Sequence, residues 1–393
     1  MVLLVPTGSE FNFKPPKFDK RASEKLIAIV CSSESEGPLK GVCMPHTVVL
    51  QFSTLKSRTF KDFVSLNFSS IYWCTGLVGV YLAPFRTGET RISTVQPFNP
   101  ELCVKLIEQY TVTVLVLPPL YLTSLINSQT ARTGDFSSII LFSCTGSVVS
   151  ESLRQKFKAT FPTKPLLISY GTNELFIAAM RPGECTEGLK VGKTYTNIQV
   201  KIVDDEDNPL GLGEVGEIRA KPEFKFQGYY RQPETSQRAV DRDGFFKTGD
   251  LGYLDQDGTI YILDKNNDTF KYKEHLIKPA EIENVIESIE GVDLVSVVPV
   301  QDFGGNLDES CSGFGGKVTN LPAAVIVKRP GFEKLTQHDI ASVVAEKLPF
   351  YKQLYGGIYF VEDMPMSPNG RILRRRVKEI AASKYKIRYK AHV

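Results

Sequence analysis

Short apolar runs and amphipathic segments alternate through the first half of the chain. The runs Leu26–Val30, Val112–Leu117 and Ile139–Phe142 are rich in residues that favour β-strands. The segments Pro100–Gln109 and Ser150–Phe161 instead carry apolar residues at helical spacing. Strands that alternate with helices predict α/β units built around a largely parallel sheet.

The pattern changes after about Val191. Gln199–Val203, Glu217–Ala220 and Thr259–Leu263 are short strand-like runs, and Gly and Asp turn residues separate them. This spacing predicts a smaller β region that is more antiparallel than the first.

A polar stretch, Asp264–Asp268, contains no apolar residue and is typical of a linker or hinge. Beyond it, helical and strand patterns alternate again over Pro279–Ile289, Leu294–Val300, Ala323–Val327 and Thr336–Lys347. We therefore expect a domain over residues 1–263, a hinge at about 264–268 and a compact α+β domain over residues 268–393.

Composition excludes several classes of protein. The 393 residues are 42% hydrophobic and 23% charged, which is typical of a globular protein with two or three domains. A net charge of +3 gives no support to nucleic-acid binding. The seven cysteines are odd in number and lack C-x-x-C spacing, and the four histidines are scattered, which argues against a disulfide framework or a zinc site. The cysteine pattern favours a reducing compartment.

The apolar stretches are short. Gly76–Pro84 and Val112–Leu122 do not reach the length of a membrane-spanning helix, and both contain proline. Met1–Pro6 is too short for a signal peptide. We expect no transmembrane segment, and these stretches are interpreted as buried strands or core helices.

Five short motifs follow one another along the chain. Asp243–Gly258 (DGFFKTGDLGYLDQDG) reads as a hairpin with several carboxylates, and alone it could be an acidic surface. In chain order the five are CSSESEGPLKG at Cys31–Gly41, YGTNE at Tyr170–Glu174, GYYRQP at Gly228–Pro233 with KTGDLG at Lys247–Gly252, the hinge-like segment Asp264–Glu283, and PNGR at Pro368–Arg371. Each motif is weak by itself, and their order makes the set informative.

Together these motifs resemble those of the AMP-forming acyl- and aryl-acid–CoA ligases, the adenylate-forming family that includes the coumarate–CoA ligases and the beetle luciferases. The resemblance runs from about Ser23 to about Lys378. It implies an α/β fold with a large N-terminal domain, here lacking the family's N-terminal portion, and a small mobile α+β domain. It also implies ATP, Mg²⁺ and CoA as ligands and a small fatty or aromatic carboxylic acid as substrate.

The resemblance assigns roles around the nucleotide. The Ser/Gly-rich loop implies phosphate contacts from Ser32, Ser33, Ser35 and Lys40, since backbone N–H groups and hydroxyls suit an anion. The YGTNE motif implies that Tyr170, Gly171 and Asn173 lie beside the adenine and that Glu174 helps hold Mg²⁺. Ribose contacts are implied for Asp250 and Lys265.

Two basic residues are implied to act in different steps. In the family, an acid first attacks the α-phosphate of ATP to form an acyl-adenylate, and a thiol then displaces AMP. The small domain rotates between the two steps. The resemblance implies that Arg371 serves adenylation and that Lys271 serves thioester formation.

Several positions depart from the family pattern. Glu34 and Glu36 stand where Gly and Thr are usual, and added carboxylates repel a triphosphate. Arg371 places a planar guanidinium group where the family pattern has the compact ammonium of a lysine. The remaining departures are Asn173, Asn267 and Glu274. A catalytically impaired pseudoenzyme or nucleotide-binding module is therefore the rival to an active ligase, and an incomplete gene model is a third explanation.

Other features leave alternatives open. A basic tail is predicted to be a solvated helix face, with a site for an acidic partner as the alternative; it consists of Arg374–Arg376, Lys378, Lys384, Lys386, Arg388 and Lys390. Trp73 either lines a substrate pocket or packs in the core. The resemblance implies a peroxisomal location, with the cytoplasm as the alternative because the C-terminus, Ala391-His392-Val393, does not match a peroxisomal signal.

Overall fold

The computed structural model describes residues 25–32, 40–48, 62–77, 88–175, 190–194, 198–265, 268–273, 275–302, 320–367 and 371–390. Some residues singled out in the sequence lie outside these ranges: Ser33, Glu34, Ser35, Glu36, Asn267 and Glu274.

A hairpin and a parallel sheet form the first part of the described chain. The hairpin pairs β1 (Leu26–Cys31) with β2 (Gly41–Pro45) in antiparallel register. The sheet has the order β4-β3-β5-β6-β7, and all its pairings are parallel as the sequence predicts. Its strands are β3 (Val64–Asn67), β4 (Thr90–Ile92), β5 (Val114–Leu117), β6 (Leu141–Thr145) and β7 (Leu166–Ser169).

Helices connect these strands, and their ends follow local chemistry. Asn99 caps one helix by accepting from the Leu102 N–H, and Ser150 caps another by accepting from the Leu153 N–H. The helices of this part are α1 (Cys74–Gly76), α2 (Pro100–Tyr110), α3 (Pro119–Asn127), α4 (Thr130–Thr133) and α5 (Glu151–Thr160).

An antiparallel sheet follows, with the order β8-β12-β11-β10-β9. It consists of β8 (Lys190–Lys193), β9 (Ile198–Val203), β10 (Gly216–Pro222), β11 (Phe246–Leu254) and β12 (Thr259–Lys265), with the short helix α6 (Pro233–Arg238) between β10 and β11. The interpretation of Asp243–Gly258 as a hairpin is wrong in its bounds, because the second strand of the β11–β12 hairpin lies beyond Gly258. That segment holds the single strand β11 between two turns, and β11 pairs with β10 and β12 on either side.

The last part contains a small hairpin and a three-stranded sheet with the order β15-β16-β17. Strands β15 and β16 are antiparallel, whereas β16 and β17 are parallel. The elements are β13 (Phe270–Tyr272), β14 (His275–Ile277), α7 (Pro279–Glu287), β15 (Val292–Gln301), β16 (Asn320–Lys328), α8 (Gln337–Lys347), a 3₁₀ turn (Phe350–Lys352), β17 (Gly357–Val361) and α9 (Arg374–Lys390).

Among the described residues, the two largest hydrophobic cores lie on opposite sides of the predicted hinge, and a small third cluster around Val30 and Met44 lies before it. The larger core extends along the chain from Leu66 to Ile262, and the smaller from Phe270 to Tyr385. Strand β12 runs through Lys265, so Asp264 and Lys265 belong to a strand and not to an extended linker. The domain limits themselves stay a prediction. Within the described ranges, no helix is both long and apolar enough to cross a bilayer.

Candidate active site

A cavity of about 1230 Å³ opens between the carboxyl ends of the parallel strands, the antiparallel sheet and the C-terminal part of the chain. Because loops at the carboxyl ends of parallel strands meet at one edge of the sheet, this is where such folds bind ligands. The predicted site residues that line it are Ser32, Lys40, Tyr170, Gly171, Asn173, Glu174, Asp250, Lys265 and Arg371. Trp73 also lines the cavity and is half-buried.

A buried cluster joins three of these residues. The Tyr170 hydroxyl donates to Asp250 Oδ2 at 2.6 Å, and Lys265 Nζ lies 3.3 Å from Asp250 Oδ1. Tyr170 is 8% exposed and Asp250 5% exposed. The fold makes this cluster because Tyr170 directly follows β7, while Asp250 and Lys265 face each other across β11 and β12. The carboxylate is therefore held between two donors at the cavity wall.

Thr248, two residues before Asp250 in strand β11, fixes the backbone of Asp250. Thr248 Oγ accepts from the Asp250 N–H at 3.1 Å and donates to the Ile218 carbonyl at 2.5 Å. A threonine at this point anchors β11 to β10, so the direction of the Asp250 side chain is set by backbone bonds as well as by its own partners.

Glu174 and Lys40 meet at a second aromatic residue that sequence reasoning did not single out. The Tyr229 hydroxyl donates to Glu174 Oε1 at 2.9 Å. Lys40 Nζ lies 5.0 Å from the centroid of the Tyr229 ring, within range of a cation–π contact. The GYYRQP motif contains Tyr229, but nothing in the sequence indicated that Tyr229 would contact both Lys40 and Glu174.

Hydrogen bonds close the two ends of the Ser/Gly-rich loop. The Ser32 N–H donates to the Lys40 carbonyl at 2.8 Å, and the Lys40 N–H donates to Ser32 Oγ at 3.0 Å. Asn173 Nδ2 donates to the Cys31 carbonyl at 2.8 Å, which ties the YGTNE motif to the strand that enters the loop. Asn173 thus makes a structural contact here.

The structure places the two predicted basic residues differently. Arg371 lines the cavity, whereas Lys271 lies on β13 with an exposed side chain and is not among the lining residues. Of the two residues, only Arg371 is therefore placed at the cavity.

Helix α5 packs against helix α7 beside the cavity. Ser150 Oγ donates to Glu287 Oε2 at 2.6 Å, and Lys156 Nζ donates to the Glu287 carbonyl at 2.6 Å. The Ser152 N–H donates to Asn284 Oδ1 at 2.9 Å. These bonds join the two parts of the chain across the interface.

The interpretation of the whole basic tail as a solvated face is wrong for Arg374. Arg375 and Arg376 are exposed, but the Arg374 side chain is only 24% exposed and lines the cavity. Its guanidinium forms a two-pronged pair with Glu283, with N–O distances of 2.7 and 2.8 Å. The reason is geometric: Arg374 starts helix α9, where it faces α7 and not the solvent.

Burial raises the pKa of three carboxyl groups near the hinge and the interface. It raises the pKa of Asp264 to about 6, and the positive charge of Arg374 offsets part of this effect. Burial also raises the pKa of Asp268 and of Glu287, against the opposing effects of Arg374 and of the Ser150 hydrogen bond respectively. The hinge end of the cavity thus holds carboxyl groups that resist ionisation.

Replacing Asp264 with Asn should change how stability depends on pH. The folded carboxyl keeps its proton up to about pH 6, while an ordinary aspartate loses it near 3.8. In this window the folded state binds more protons, so the stability of the unmodified protein falls as pH rises. The free energy of unfolding of the variant, relative to the unmodified protein, should therefore increase by about 1–3 kcal/mol from about pH 4 to about pH 6.

Urea unfolding at a series of pH values measures this difference. Asp257→Asn, at an exposed turn position, is the matched control and should follow the unmodified protein throughout. Parallel pH curves for the Asp264 variant and the unmodified protein would contradict the prediction.

Comparison with known proteins now decides the family. The model of the family described as AMP-binding enzyme matches residues 4–230, which is more than half of the chain. The chain belongs to the AMP-binding enzyme family. The adenylate-forming family predicted from the motifs is therefore confirmed.

Curated relatives of this family member are CoA ligases by name. It is 29% identical over 364 residues to 4-coumarate–CoA ligase-like 9 of Arabidopsis thaliana, covering 90% of this chain and 62% of that protein. It is 31% identical over 303 residues to 4-coumarate–CoA ligase-like 6 of Oryza sativa subsp. japonica, covering 76% and 48%. The chain thus spans about half to two thirds of the length of these relatives.

A solved structure confirms the fold class of this AMP-binding family member. ATP-bound MatB from Rhodopseudomonas palustris superposes with a TM-score of 0.80 at 23% identity. The superposition covers 93% of this chain and 70% of that chain. The predicted combination of a large α/β domain with a small α+β domain, lacking part of the family's length, is the fold observed.

Proposed function

We propose that the protein adenylates a fatty or aromatic carboxylic acid with ATP and then transfers the acyl group to CoA. The observation that carries this proposal is the buried Tyr170–Asp250–Lys265 cluster, which shares one cavity with Arg371. The names of the two curated relatives described above, both 4-coumarate–CoA ligase-like proteins, support the reaction class.

The cluster suits the sugar and base of a nucleotide. Asp250 presents carboxylate oxygens that can accept from ribose hydroxyl groups, while Tyr170 and Lys265 hold it in place. Tyr170 also offers an aromatic surface next to this carboxylate, to which a flat base can pack. Lys40 lines the same cavity and supplies positive charge for the phosphates.

Glu174 fits a magnesium ion that accompanies the nucleotide. Mg²⁺ is usually held by one or two carboxylates, several waters and the substrate's phosphates. Glu174 lines the cavity, where its carboxylate would hold such an ion together with the phosphates. When bound, the ion would neutralise phosphate charge.

Arg371 and Lys271 divide the two steps between two orientations of the C-terminal domain. With Arg371 at the cavity, its cation can bridge the acid carboxylate and the α-phosphate as negative charge develops. After rotation about the hinge, Lys271 would replace it while the thiol of CoA attacks the acyl-adenylate. The bonds between α5 and α7 belong to the first orientation.

A nucleotide-binding protein with impaired chemistry is the second candidate. The observation that favours it is Arg371 itself, because a broad guanidinium lies where relatives of this type carry a compact lysine. Glu34 and Glu36 in the phosphate loop point the same way.

Acid-dependent release of pyrophosphate from ATP tests the proposal. A panel of fatty and aromatic acids is assayed with and without CoA, and Asp257→Asn serves as an exposed control variant. Pyrophosphate released with at least one acid supports adenylation, and CoA-dependent AMP release supports the second step. If no acid gives pyrophosphate above the background without acid, the second candidate replaces the first.

We expect the protein to bind AMP more tightly than MgATP. Tyr170 and Asp250 form an intact site for the nucleoside, while Glu34 and Glu36 add negative charge beside the β- and γ-phosphates. Isothermal titration of both ligands measures the two affinities. In the variant Glu34→Gly/Glu36→Thr the affinity for MgATP should rise while that for AMP stays unchanged. Tighter binding of MgATP by the unmodified protein would contradict the prediction.

A further inference from the structure

Arg374 has more polar contacts than a helix-surface arginine needs. Its Nη1 and Nη2 donate to the two carboxylate oxygens of Glu283, and Nη1 also donates to the Val297 carbonyl at 2.9 Å. Its Nε lies 3.1 Å from Asp268 Oδ2. One guanidinium therefore joins helix α7, strand β15 and the residue that follows the hinge.

Arg371 lies three residues before Arg374, and its backbone is hydrogen-bonded to Ser367. The Ser367 N–H donates to the Arg371 carbonyl at 2.8 Å, and the Arg371 N–H donates to Ser367 Oγ at 3.1 Å. The Leu373 N–H donates to the Pro365 carbonyl at 2.9 Å. The backbone of residues 371–373 thus runs between a closed turn and the anchored side chain of Arg374.

Asp268 is paired with Arg374 and also feels the charge of Arg371. The positive charge of Lys265 acts on its carboxylate as well. Lys265 also reaches Asp250, the carboxylate of the nucleotide cluster. Two ion pairs therefore lie on this side of the cavity, one between Lys265 and Asp250 and one between Asp268 and Arg374, the first residue of the helix that follows Arg371.

We propose that Arg374 is a positioning residue for adenylation: by clamping the start of α9 to Glu283, Val297 and Asp268, it directs Arg371 into the cavity. This proposal rests on the proposed function, which assigns adenylation to Arg371. A guanidinium suits the task because its planar fork fixes direction as well as distance, which a lysine ammonium does not. A displacement of about 1 Å at a reacting group can cost about 100-fold in rate.

Arg375 provides a matched control. It is the next residue in the same helix and has the same charge, but its side chain is 81% exposed and its ion-pair partner is Glu379, on the same helix. A general effect of losing positive charge on α9 would appear in Arg375→Gln as well as in Arg374→Gln.

The experiment compares the unmodified protein with Arg374→Gln, Arg374→Lys and Arg375→Gln. Adenylation is followed as acid-dependent pyrophosphate release, and the second step as CoA-dependent AMP release from a pre-formed acyl-adenylate. Hydrogen–deuterium exchange is measured in the peptide that ends at Leu373, as a readout that needs no turnover.

Arg374→Gln should lower kcat for adenylation by about 100-fold while the KM for ATP changes by less than about threefold, since the nucleotide contacts are elsewhere. Acyl transfer from the supplied adenylate should stay within about twofold, and exchange in the peptide should accelerate. Arg374→Lys should fall between Arg374→Gln and the unmodified protein, and Arg375→Gln should match the latter. If Arg374→Gln does not fold, the same comparison is made with Arg374→Lys.

Two results would overturn the proposal: equal adenylation rates for the Arg374 and Arg375 variants, or an equal loss in both half-reactions. If the unmodified protein releases no pyrophosphate, the proposed function fails separately. The exchange data then decide the positioning role: faster exchange only in the Arg374 variants supports it, and unchanged exchange refutes it.

Discussion

Replacing Asp250 with Asn should weaken AMP binding by about 10- to 100-fold. The carboxylate now lies between the Tyr170 hydroxyl and the Lys265 ammonium, both of which donate to it. An amide keeps one acceptor and turns its other end into a donor, so one of these partners would face an N–H₂ group. Hydrogen bonds to a charged acceptor are worth about 1.5–3 kcal/mol, and the ribose hydroxyls would lose the same acceptor.

The same substitution should lower the free energy of unfolding by about 2–4 kcal/mol, because it removes the carboxylate that lies 3.3 Å from the ammonium of a largely buried lysine. Isothermal titration with AMP and urea unfolding measure the two effects. Asp257→Asn, in the turn at the other end of the β11–β12 hairpin, is the control and should change neither. AMP affinity within twofold of the unmodified protein would remove Asp250 from the proposed nucleotide site.

Restoring the family residues at three positions should raise pyrophosphate release by about 100-fold or more. The triple variant is Glu34→Gly, Glu36→Thr and Arg371→Lys. Each pair of like charges about 4 Å apart costs about 1 kcal/mol in water and about 4 kcal/mol at intermediate dielectric, so the two glutamates oppose the leaving pyrophosphate. Lysine in turn supplies a compact cation that fits between the acid and the α-phosphate.

The gains should not be additive, because the phosphate loop and residue 371 act on the same transition state. The Arg371→Lys variant alone and the Glu34→Gly/Glu36→Thr variant alone should each help little. Pyrophosphate release is measured for the four proteins with the same acid throughout. An unmodified protein that already turns over at about 1 s⁻¹ or faster would contradict the premise. A silent triple variant would show that these three positions do not limit the reaction.

The sequence predicted elements well where periodicity was local. The run Gln199–Val203 became β9 at Ile198–Val203, and Pro100–Gln109 became α2 at Pro100–Tyr110, because strand alternation and helical spacing are properties of neighbouring residues. The hairpin at Asp243–Gly258 was predicted wrongly because Gly and Asp mark turns without specifying which strands will pair. Asp250 pairs with Lys265 across the turn at Asp255–Gly258, and Lys265 lies outside the predicted segment.

Contacts between distant parts of the chain could not be predicted from the sequence. In a run of three arginines the residues look equivalent, yet Arg374 pairs with Glu283, 91 residues away, while Arg375 is exposed. Glu287 looked like one more polar residue of an amphipathic helix, but it accepts from Ser150 across the interface between the two cores. Which face of a helix becomes buried depends on the partner it meets, and a single sequence does not contain that partner's position.

Trp73 gives the cavity its own optical reporter. It is the only tryptophan in the 393 residues, and it lines the space shared by Tyr170, Asp250 and Arg371. Fluorescence excited at the red edge of protein absorption therefore comes from one indole at one wall of this cavity. Titrations of nucleotides and acids can be read from its emission without a label, a coupled assay or turnover, so ligand preference becomes measurable even in a protein whose chemistry is slow.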